Sequence, residues 1–288
     1  MKKEITGHTR LICLLGDPVS HSISPAMHNL SFETLGLDYV YLAFQTNVEQ
    51  FDATISTLKQ IGARGFNCTM PCKRIAAHAC DELSSAAKLM NSVNTVLIED
   101  GKFIGHNTDG VGYMKSVQDA GHNILGKQMT LLGSGGASSA ILAQAALDGV
   151  THINIFARKG TSWDVIQKQA DLVNAQTNCK VTLNEFADEQ ALRNSIADSA
   201  ILVNGSSVGM APNTDHCLIP EHSYFHPELI VSDVIYNPRK TKLLSMAEEA
   251  GLATFNGMYM LLYQGAEAFK IWTGQEMPVD LVKKQLFS

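Results

Sequence analysis

The stretch at residues 129–147 most constrains how this chain can fold. A short apolar run at 129–132 is long enough for a buried strand, and good helix formers fill 140–147. Three glycines lie between them: Gly133, Gly135 and Gly136. A strand, a glycine turn and a helix in this order present backbone N–H groups to a phosphate group at the helix N-terminus. A tight structural turn is the alternative, because Ser138 stands where a third glycine or alanine is common.

Composition places the chain among ordinary globular proteins. It has 288 residues, of which 45% are hydrophobic and 17% charged, so one or two domains are expected. The net charge is −6 and there is no basic run, which argues against nucleic acid as a partner. The N-terminal residues lack the apolar core of a signal peptide, and no apolar segment reaches transmembrane length. We therefore expect a cytoplasmic protein with no membrane partner.

The cysteines argue against both disulfides and a metal. Six are spread along the chain: Cys13, Cys68, Cys72, Cys80, Cys179 and Cys217. None forms a CxxC pair, and no histidine cluster lies near them at the spacing of metal ligands. We expect reduced thiols, most of them in the core, and no metal site.

Strand and helix patterns alternate on both sides of the glycine-rich stretch. Apolar and β-branched runs predict strands at 11–15, 39–44, 65–69, 93–98, 102–105, 129–132, 153–156, 181–183, 200–203 and 229–234. Helical spacing predicts helices at 24–35, 48–61, 108–120, 163–176, 189–195, 240–250 and 258–273, and shorter ones opened by Pro71 and Pro278. Ser24 is the expected N-cap of the first helix, and Asp100 and Gly101 are the expected hairpin turn. This alternation predicts two α/β units with mainly parallel sheets.

Polar side chains occur in pairs at two places early in the chain, one before a helix and one at the end of a strand. Ser22 and Ser24 precede the first helix, and a helix cap explains only Ser24. Asn67 and Thr69 share one face at the C-terminal end of a strand, where ligands bind in open α/β sheets. These residues predict a polar ligand pocket.

Two charged residues are candidates for proton transfer. Lys73 follows the Asn67 stretch, and Asp109 lies at the start of a helix. A lysine and a carboxylate brought together can do acid–base work on a hydroxyl or a carbonyl. The alternatives are a solvated lysine after a proline turn and an ordinary acid in a first helical turn.

Seven motifs resemble those of the shikimate dehydrogenases, in order and spacing, over essentially the whole chain. They are residues 22–25 (SISP), 67–73 (NCTMPCK), 91–95 (NSVNT), 105–110 (GHNTDG), 133–137 (GSGGA), 233–238 (DVIYNP) and 264–266 (QGA). Each motif alone is modest, but seven in register are specific. Residues 88–90 and 258–273 look most like the quinate/shikimate dehydrogenase branch of the family.

The resemblance implies NAD(P)-dependent interconversion of 3-dehydroshikimate and shikimate, and of 3-dehydroquinate and quinate in some members, in aromatic amino acid (chorismate) biosynthesis. It implies that Lys73 is the proton donor and acceptor, with Asp109 as its partner. The implied substrate-binding residues are Ser22, Ser24, Asn67, Thr69, Asn94, Thr108, Tyr236 and Gln264. The implied fold has a substrate domain at 1–108, completed by the C-terminal helices at 258–288, and a Rossmann-like dinucleotide-binding domain at 109–257. A homodimer is an open expectation, because the sequence carries no signal of oligomeric state.

The resemblance also implies a dinucleotide site around the glycine-rich stretch. Its expected residues are Gly133, Ser134, Gly135, Gly136, Ala137, Ala157, Arg158, Lys159, Gly160, Ser207, Val234, Tyr236 and Gly257. Arg158 and Lys159 favour NADP(H), since both could meet a 2′-phosphate. NAD(H) is the alternative. The acid that often holds the ribose hydroxyls in NAD-preferring forms is not found at 157–162, and the nearest preceding acid is Asp148, at the end of the helix before the predicted strand at 153–156.

Two further readings compete with an active dehydrogenase. A nucleotide-sensing regulator would keep the fold but would tolerate loss of Lys73 or Asp109, and both are present. A methyltransferase with a similar glycine loop would need an acid after Phe156, where Arg158 and Lys159 stand instead.

Overall fold

The chain forms two units, described in a computed structural model over residues 4–287. One unit comprises Met1–Thr108 and Leu262–Ser288, and the other comprises Asp109–Leu261. The second unit is therefore inserted in the sequence of the first.

The first unit is an α/β sheet of six strands. Its elements before the insertion are β1 (Arg10–Gly16), α1 (Ser24–Leu35), β2 (Tyr39–Gln45), α2 (Phe51–Gln60), β3 (Gly65–Cys68), α3 (Lys73–Ala79), β4 (Glu82–Leu83), α4 (Ser85–Met90), β5 (Thr95–Glu99) and β6 (Lys102–His106). The strand order is β2-β1-β3-β5-β6-β4. Strands β1, β2 and β3 run parallel, whereas β5 is antiparallel to both β3 and β6. The turn between β5 and β6 is the expected one, with positive φ at Asp100 and Gly101.

Two helix starts differ from the sequence prediction. Ser24 was predicted to be the N-cap of α1, but it is the first helical residue, and Ile23 occupies the cap position without a side-chain hydrogen bond. The serine that bonds the backbone here is Ser22, whose Oγ accepts from the Ser24 N–H at 3.2 Å. Helix α3 starts at Lys73 rather than Pro71, because Thr69 O and the Cys72 N–H close a turn there at 2.8 Å.

The second unit is a parallel sheet of six strands with helices between them. Its elements are α5 (Asp109–Asp119), β7 (Gln128–Leu132), α6 (Gly136–Asp148), β8 (His152–Ala157), α7 (Trp163–Gln176), β9 (Lys180–Glu185), α8 (Glu189–Asp198), β10 (Ile201–Asn204), β11 (Ile230–Asp233), α9 (Lys242–Glu249) and β12 (Ala253–Phe255). Helix α10 (Met258–Thr273) crosses the division between the units, and α11 (Val279–Leu286) follows it.

The strand order of the second sheet is that of the dinucleotide-binding fold. From one edge it runs β9-β8-β7-β10-β11-β12, and every pairing is parallel. Counted from β7, this is the order 3-2-1-4-5-6 of the Rossmann fold. Ligands of such sheets bind where the order reverses, which here is between β7 and β10. The expected α/β architecture with a Rossmann-like unit is confirmed.

Each unit has its own hydrophobic core. In the first, β1 and β3 supply Cys13, Phe66 and Cys68, and helix α2 adds Phe51 and Ile55. In the second, a cluster spans Leu132, Leu202, Val231 and Leu244, which lie on β7, β10, β11 and α9. The sheets thus hold the carboxyl ends of their strands in fixed positions.

The six cysteines are free thiols, and Cys13, Cys68, Cys72 and Cys179 are buried. Burial raises the pKa of Cys13 to about 12 and that of Cys179 to about 11. Within residues 4–287, no group of three or more His, Cys, Asp or Glu side chains could hold a metal ion. No helix in this range is long and apolar enough to cross a membrane.

Candidate active site

A buried hydrogen-bond network lies at the end of β3 in the first unit. Asn67 accepts a bond from the Tyr41 hydroxyl at 2.7 Å and donates to Asn94 O and Thr95 Oγ1, both at 2.9 Å. Asn67, Asn94 and Thr95 are all buried. Since an unpaired amide is costly in such a place, these bonds fix the orientation of Asn67.

The same network extends to Thr108, the last residue of the first unit before the insertion. Asn94 Nδ2 donates to Thr108 Oγ1 at 3.0 Å, and Asn94 Oδ1 accepts from the Thr108 backbone N–H at 2.9 Å. The structure therefore brings three predicted substrate residues together: Asn67, Asn94 and Thr108. Sequence reasoning missed Tyr41, because it lies inside a strand whose pattern indicates only core packing. Thr95 ends the 91–95 motif, but no role was predicted for it.

The serines before α1 lie beside this network. Ser24 is buried. Burial raises the pKa of Tyr41 well above its ordinary value, and the Ser24 side chain opposes that rise. Ser24 therefore lies near Tyr41, whose hydroxyl bonds Asn67.

The two candidate proton-transfer residues begin two helices. Lys73 is the half-buried first residue of α3, and its carbonyl accepts the Val93 N–H at 2.9 Å, which ties α3 to the residues before Asn94. Asp109 is the half-buried first residue of α5 and belongs to the second unit. Thr69 and Gln264, two other predicted substrate residues, are half-buried in the first unit.

His28 is a feature that the sequence reading did not identify. It lies on α1, is 0% exposed, and neither ring nitrogen has a hydrogen-bond partner within the part of the chain that the structure describes. Its imidazole stacks on Tyr41 with ring centroids 4.5 Å apart, and contacts Phe269 and Trp272 from the C-terminal helix. Burial lowers the pKa of His28 from 6.5 to about 3, so the ring is neutral at ordinary pH.

The second unit contains a cavity of about 870 Å³ at the carboxyl ends of its strands. Its lining includes twelve of the thirteen residues predicted for the dinucleotide: Gly133, Ser134, Gly135, Gly136, Ala137, Ala157, Arg158, Lys159, Gly160, Ser207, Val234 and Tyr236. The remaining one, Gly257, is not among the lining residues but packs against Val234, and a Cβ there would lie 1.9 Å from the Val234 carbonyl oxygen. Glycine at this position therefore allows the two backbone segments to approach closely.

The glycine loop leaves room for a ligand at the start of α6. Gly133 has φ +109°, and a Cβ there would lie 3.0 Å from the Cβ of Ser206, so only glycine fits. Ser138 is buried and donates to Gly205 O at 3.1 Å, which joins α6 to the segment after β10. Gly135 is the N-cap residue of α6 and has no side chain to occupy the helix N-terminus. This cradle fits a pyrophosphate, whose charge the helix N-terminus favours.

A second buried network shapes the loops after β10 and β11. Asp233 accepts bonds from Asn204 Nδ2 at 3.1 Å, from Thr241 Oγ1 at 2.8 Å and from the Ile235 N–H at 2.9 Å. Asn204 Oδ1 in turn accepts from Ser206 Oγ at 2.7 Å. Because Ser206 and Ile235 line the cavity, this network positions its far wall. Asp233 is part of the 233–238 motif, whereas Asn204 carried no separate signal.

The basic residues after β8 have an acidic neighbour. Arg158 and Lys159 are exposed, and the Lys159 ammonium forms an ion pair with the Glu185 carboxylate at the end of β9. The sequence carries no acid at 157–162, and it gives no signal that Glu185 is their neighbour. The parallel pairing of β8 and β9 brings it there by setting Glu185 opposite Ala157.

Comparisons with known proteins support one family across the chain. Residues 14–96 match the model of the shikimate dehydrogenase substrate binding domain, and residues 257–287 match that of the shikimate 5′-dehydrogenase C-terminal domain. A shikimate dehydrogenase (NADP(+)) of Listeria innocua is 49% identical over 99% of this chain and 98% of its own length. A quinate/shikimate dehydrogenase of Escherichia coli is 42% identical over 97% of each. The shikimate 5-dehydrogenase of Listeria monocytogenes, solved in complex with shikimate and NAD, is 48% identical, covers 100% of this chain and 99% of its own, and superposes with a TM-score of 0.97. The chain belongs to the shikimate dehydrogenase family.

Proposed function

We propose that this protein is a shikimate dehydrogenase that reduces 3-dehydroshikimate to shikimate in aromatic amino acid (chorismate) biosynthesis. The observation that carries the proposal is the 49% identity, over 99% of the chain, to a relative named for this activity. The two sites fit it, because a polyhydroxylated acid needs hydroxyl and amide partners and a dinucleotide needs a glycine-lined cavity.

The substrate site is assigned to the first unit. Ser22, Ser24, Thr69 and Gln264 of this unit are proposed to hold the carboxylate and hydroxyls of the substrate, together with Asn94 and Thr108. Tyr236, which belongs to the second unit, is a further substrate residue that the family resemblance implies. Asn67 keeps its place in the site by holding Asn94, since its amide already bonds Tyr41, Asn94 and Thr95. Buried polar groups of this kind reject analogues that lack a hydroxyl.

Lys73 is proposed as the general acid and base, with Asp109 as its partner. When bound, the nicotinamide gives or accepts a hydride at the substrate carbon. In the oxidation of shikimate, Lys73 takes the proton that leaves the substrate oxygen, and in the reduction it returns that proton. A carboxylate at Asp109 would orient the ammonium group and stabilise its charge.

NADP(H) is proposed as the favoured cofactor, with NAD(H) as an alternative. The cavity and the N-terminus of α6 suit either dinucleotide, whereas Arg158 suits the additional 2′-phosphate of NADP(H). The Listeria innocua relative is named for NADP(+), and the Listeria monocytogenes structure holds NAD.

Domain roles follow from this assignment. We assign the substrate site to residues 1–108 with 258–288, and the dinucleotide site to 109–257.

Quinate is a second candidate substrate, favoured by the 42% identity to the Escherichia coli quinate/shikimate dehydrogenase.

The deciding experiment follows the absorbance of reduced nicotinamide in purified protein. Shikimate and quinate are each offered with NADP⁺ and with NAD⁺. We expect the fastest reduction with shikimate and NADP⁺. Absence of reduction with every pairing, in a protein that still binds a dinucleotide, would support the non-catalytic sensor instead. Size-exclusion chromatography with light scattering tests the homodimer.

A further inference from the structure

Lys159 lines the cavity and also contacts an acid at the end of the neighbouring strand. Its ammonium contacts the Glu185 carboxylate and lies 5.9 Å from the ring centroid of Trp163, the first residue of α7. One basic residue of the predicted phosphate site is therefore already neutralised within the protein.

We infer that Glu185 is a specificity-determining residue, whose carboxylate holds Lys159 and weakens the preference for a dinucleotide with a phosphorylated ribose over one with free hydroxyls. The inference rests on the proposed function, since it concerns the cofactor of that reaction. It adds an acid on β9 to the basic residues on which the cofactor prediction was based.

The backbone fixes this arrangement. Glu185 pairs with Ala157 in the parallel register of β9 and β8, so both strands end at the same edge of the sheet. The residues that follow them, Arg158 and Phe186, both line the cavity. The carboxylate therefore stands beside the basic pair through strand pairing.

Charge determines the sign of the effect. A phosphate monoester carries between one and two negative charges at neutral pH, so it gains from Arg158 and Lys159 and loses from Glu185. To engage Lys159 fully, the phosphate has to replace Glu185 as the partner of the ammonium. A ribose hydroxyl carries no charge and makes no such demand.

Exposure limits the size of the effect. The side chains of Lys159 and Glu185 are 66% and 49% exposed, so solvent and salt screen their charges. Exposed pairs of this kind change binding constants by about two- to fivefold.

Dissociation constants for NADP⁺ and NAD⁺, measured by isothermal titration calorimetry, test the inference. The variants are Glu185→Gln, Lys159→Ala and the double variant. We expect Glu185→Gln to tighten NADP⁺ binding about two- to fivefold at low salt, to leave NAD⁺ unchanged, and to lose its effect at high salt. In the Lys159→Ala background, Glu185→Gln should have a much smaller effect, because Glu185 acts through Lys159.

Glu99→Gln is the matched control. Glu99 lies in the other unit, where it pairs with Arg64 and is 47% exposed. Glu99→Gln changes the net charge by the same amount as Glu185→Gln. It should leave the NADP⁺ to NAD⁺ ratio unchanged.

An unchanged ratio in Glu185→Gln, or an equal effect with and without Lys159, would overturn the inference while leaving the proposed function intact. A wild-type protein that binds neither dinucleotide would overturn both.

Discussion

The Tyr41 hydroxyl donates a hydrogen bond to Asn67 Oδ1 at 2.7 Å, and both side chains are buried. Tyr41→Phe removes the donor and leaves a buried amide oxygen with one fewer partner. We expect the free energy of unfolding to fall by about 1–3 kcal/mol. We also expect the KM for shikimate to rise, because Asn67 holds Asn94. Urea denaturation and steady-state kinetics measure the two effects.

Tyr39→Phe is the control for this variant. Tyr39 lies two residues earlier on β2 and stacks on Phe32, a contact that phenylalanine can keep. It should leave the KM for shikimate unchanged. Equal kinetic effects of the two variants would show that Tyr41 does not act through Asn67.

Lys73→Ala tests the proton-transfer role. The proton moves in the transition state, so we expect kcat to fall by about a hundredfold or more with little change in KM. Asp109→Ala should both lower kcat and raise KM. Steady-state kinetics on folded protein measure kcat and KM for both variants. A kcat for Lys73→Ala close to that of the wild type would refute the proton-transfer role.

Arg158→Ala tests the cofactor assignment. If the guanidinium meets the 2′-phosphate, its loss should raise the KM for NADP⁺ by about tenfold and spare that for NAD⁺. The comparison uses both cofactors with the same shikimate concentration. An unchanged KM for NADP⁺ would place the phosphate elsewhere.

His28 predicts a pH dependence of stability. Its pKa is about 3 in the folded protein against 6.5 for an unperturbed imidazole, so the unfolded chain binds the proton first as the pH falls. The contribution of His28 to stability is therefore complete above about pH 6.5 and is lost towards pH 3, at about 1.4 kcal/mol per pH unit. His28→Phe keeps the aromatic stack and should flatten this part of the curve.

Unfolding free energies at about pH 7.5 and about pH 5 measure the His28 effect. His8→Gln, which removes an exposed histidine, should keep the wild-type slope. A slope in His28→Phe as steep as in the wild type would contradict the prediction.

Most helices and strands could be predicted from local sequence patterns. The glycine loop after β7 and the turn at Asp100 and Gly101 could be predicted because few residues adopt those backbone conformations. Strands β4 and β12 were missed, since they contain only two and three residues and show no alternation. The cap at Ser24 was misplaced by one residue, because Ser22 makes the local bond.

Long-range contacts account for what the sequence could not give. Glu185 is twenty-six residues from Lys159 in the chain, and only the register of two parallel strands brings them together. Likewise, the bonds between Asn204 and Asp233 depend on the pairing of β10 with β11. The cavity-lining residues at 133–137 and 157–160 are neighbours in sequence, so no long-range contact is needed to bring the members of each stretch together.

Each unit contains one or more buried thiols whose rate of alkylation reports how often that unit opens. Cys13, Cys68 and Cys72 report on the first unit and Cys179 on the second. A thiol that is buried and has a raised pKa reacts slowly with alkylating reagents until its surroundings open. Mass spectrometry of labelled peptides would therefore time the opening of the two units separately, without any mutation.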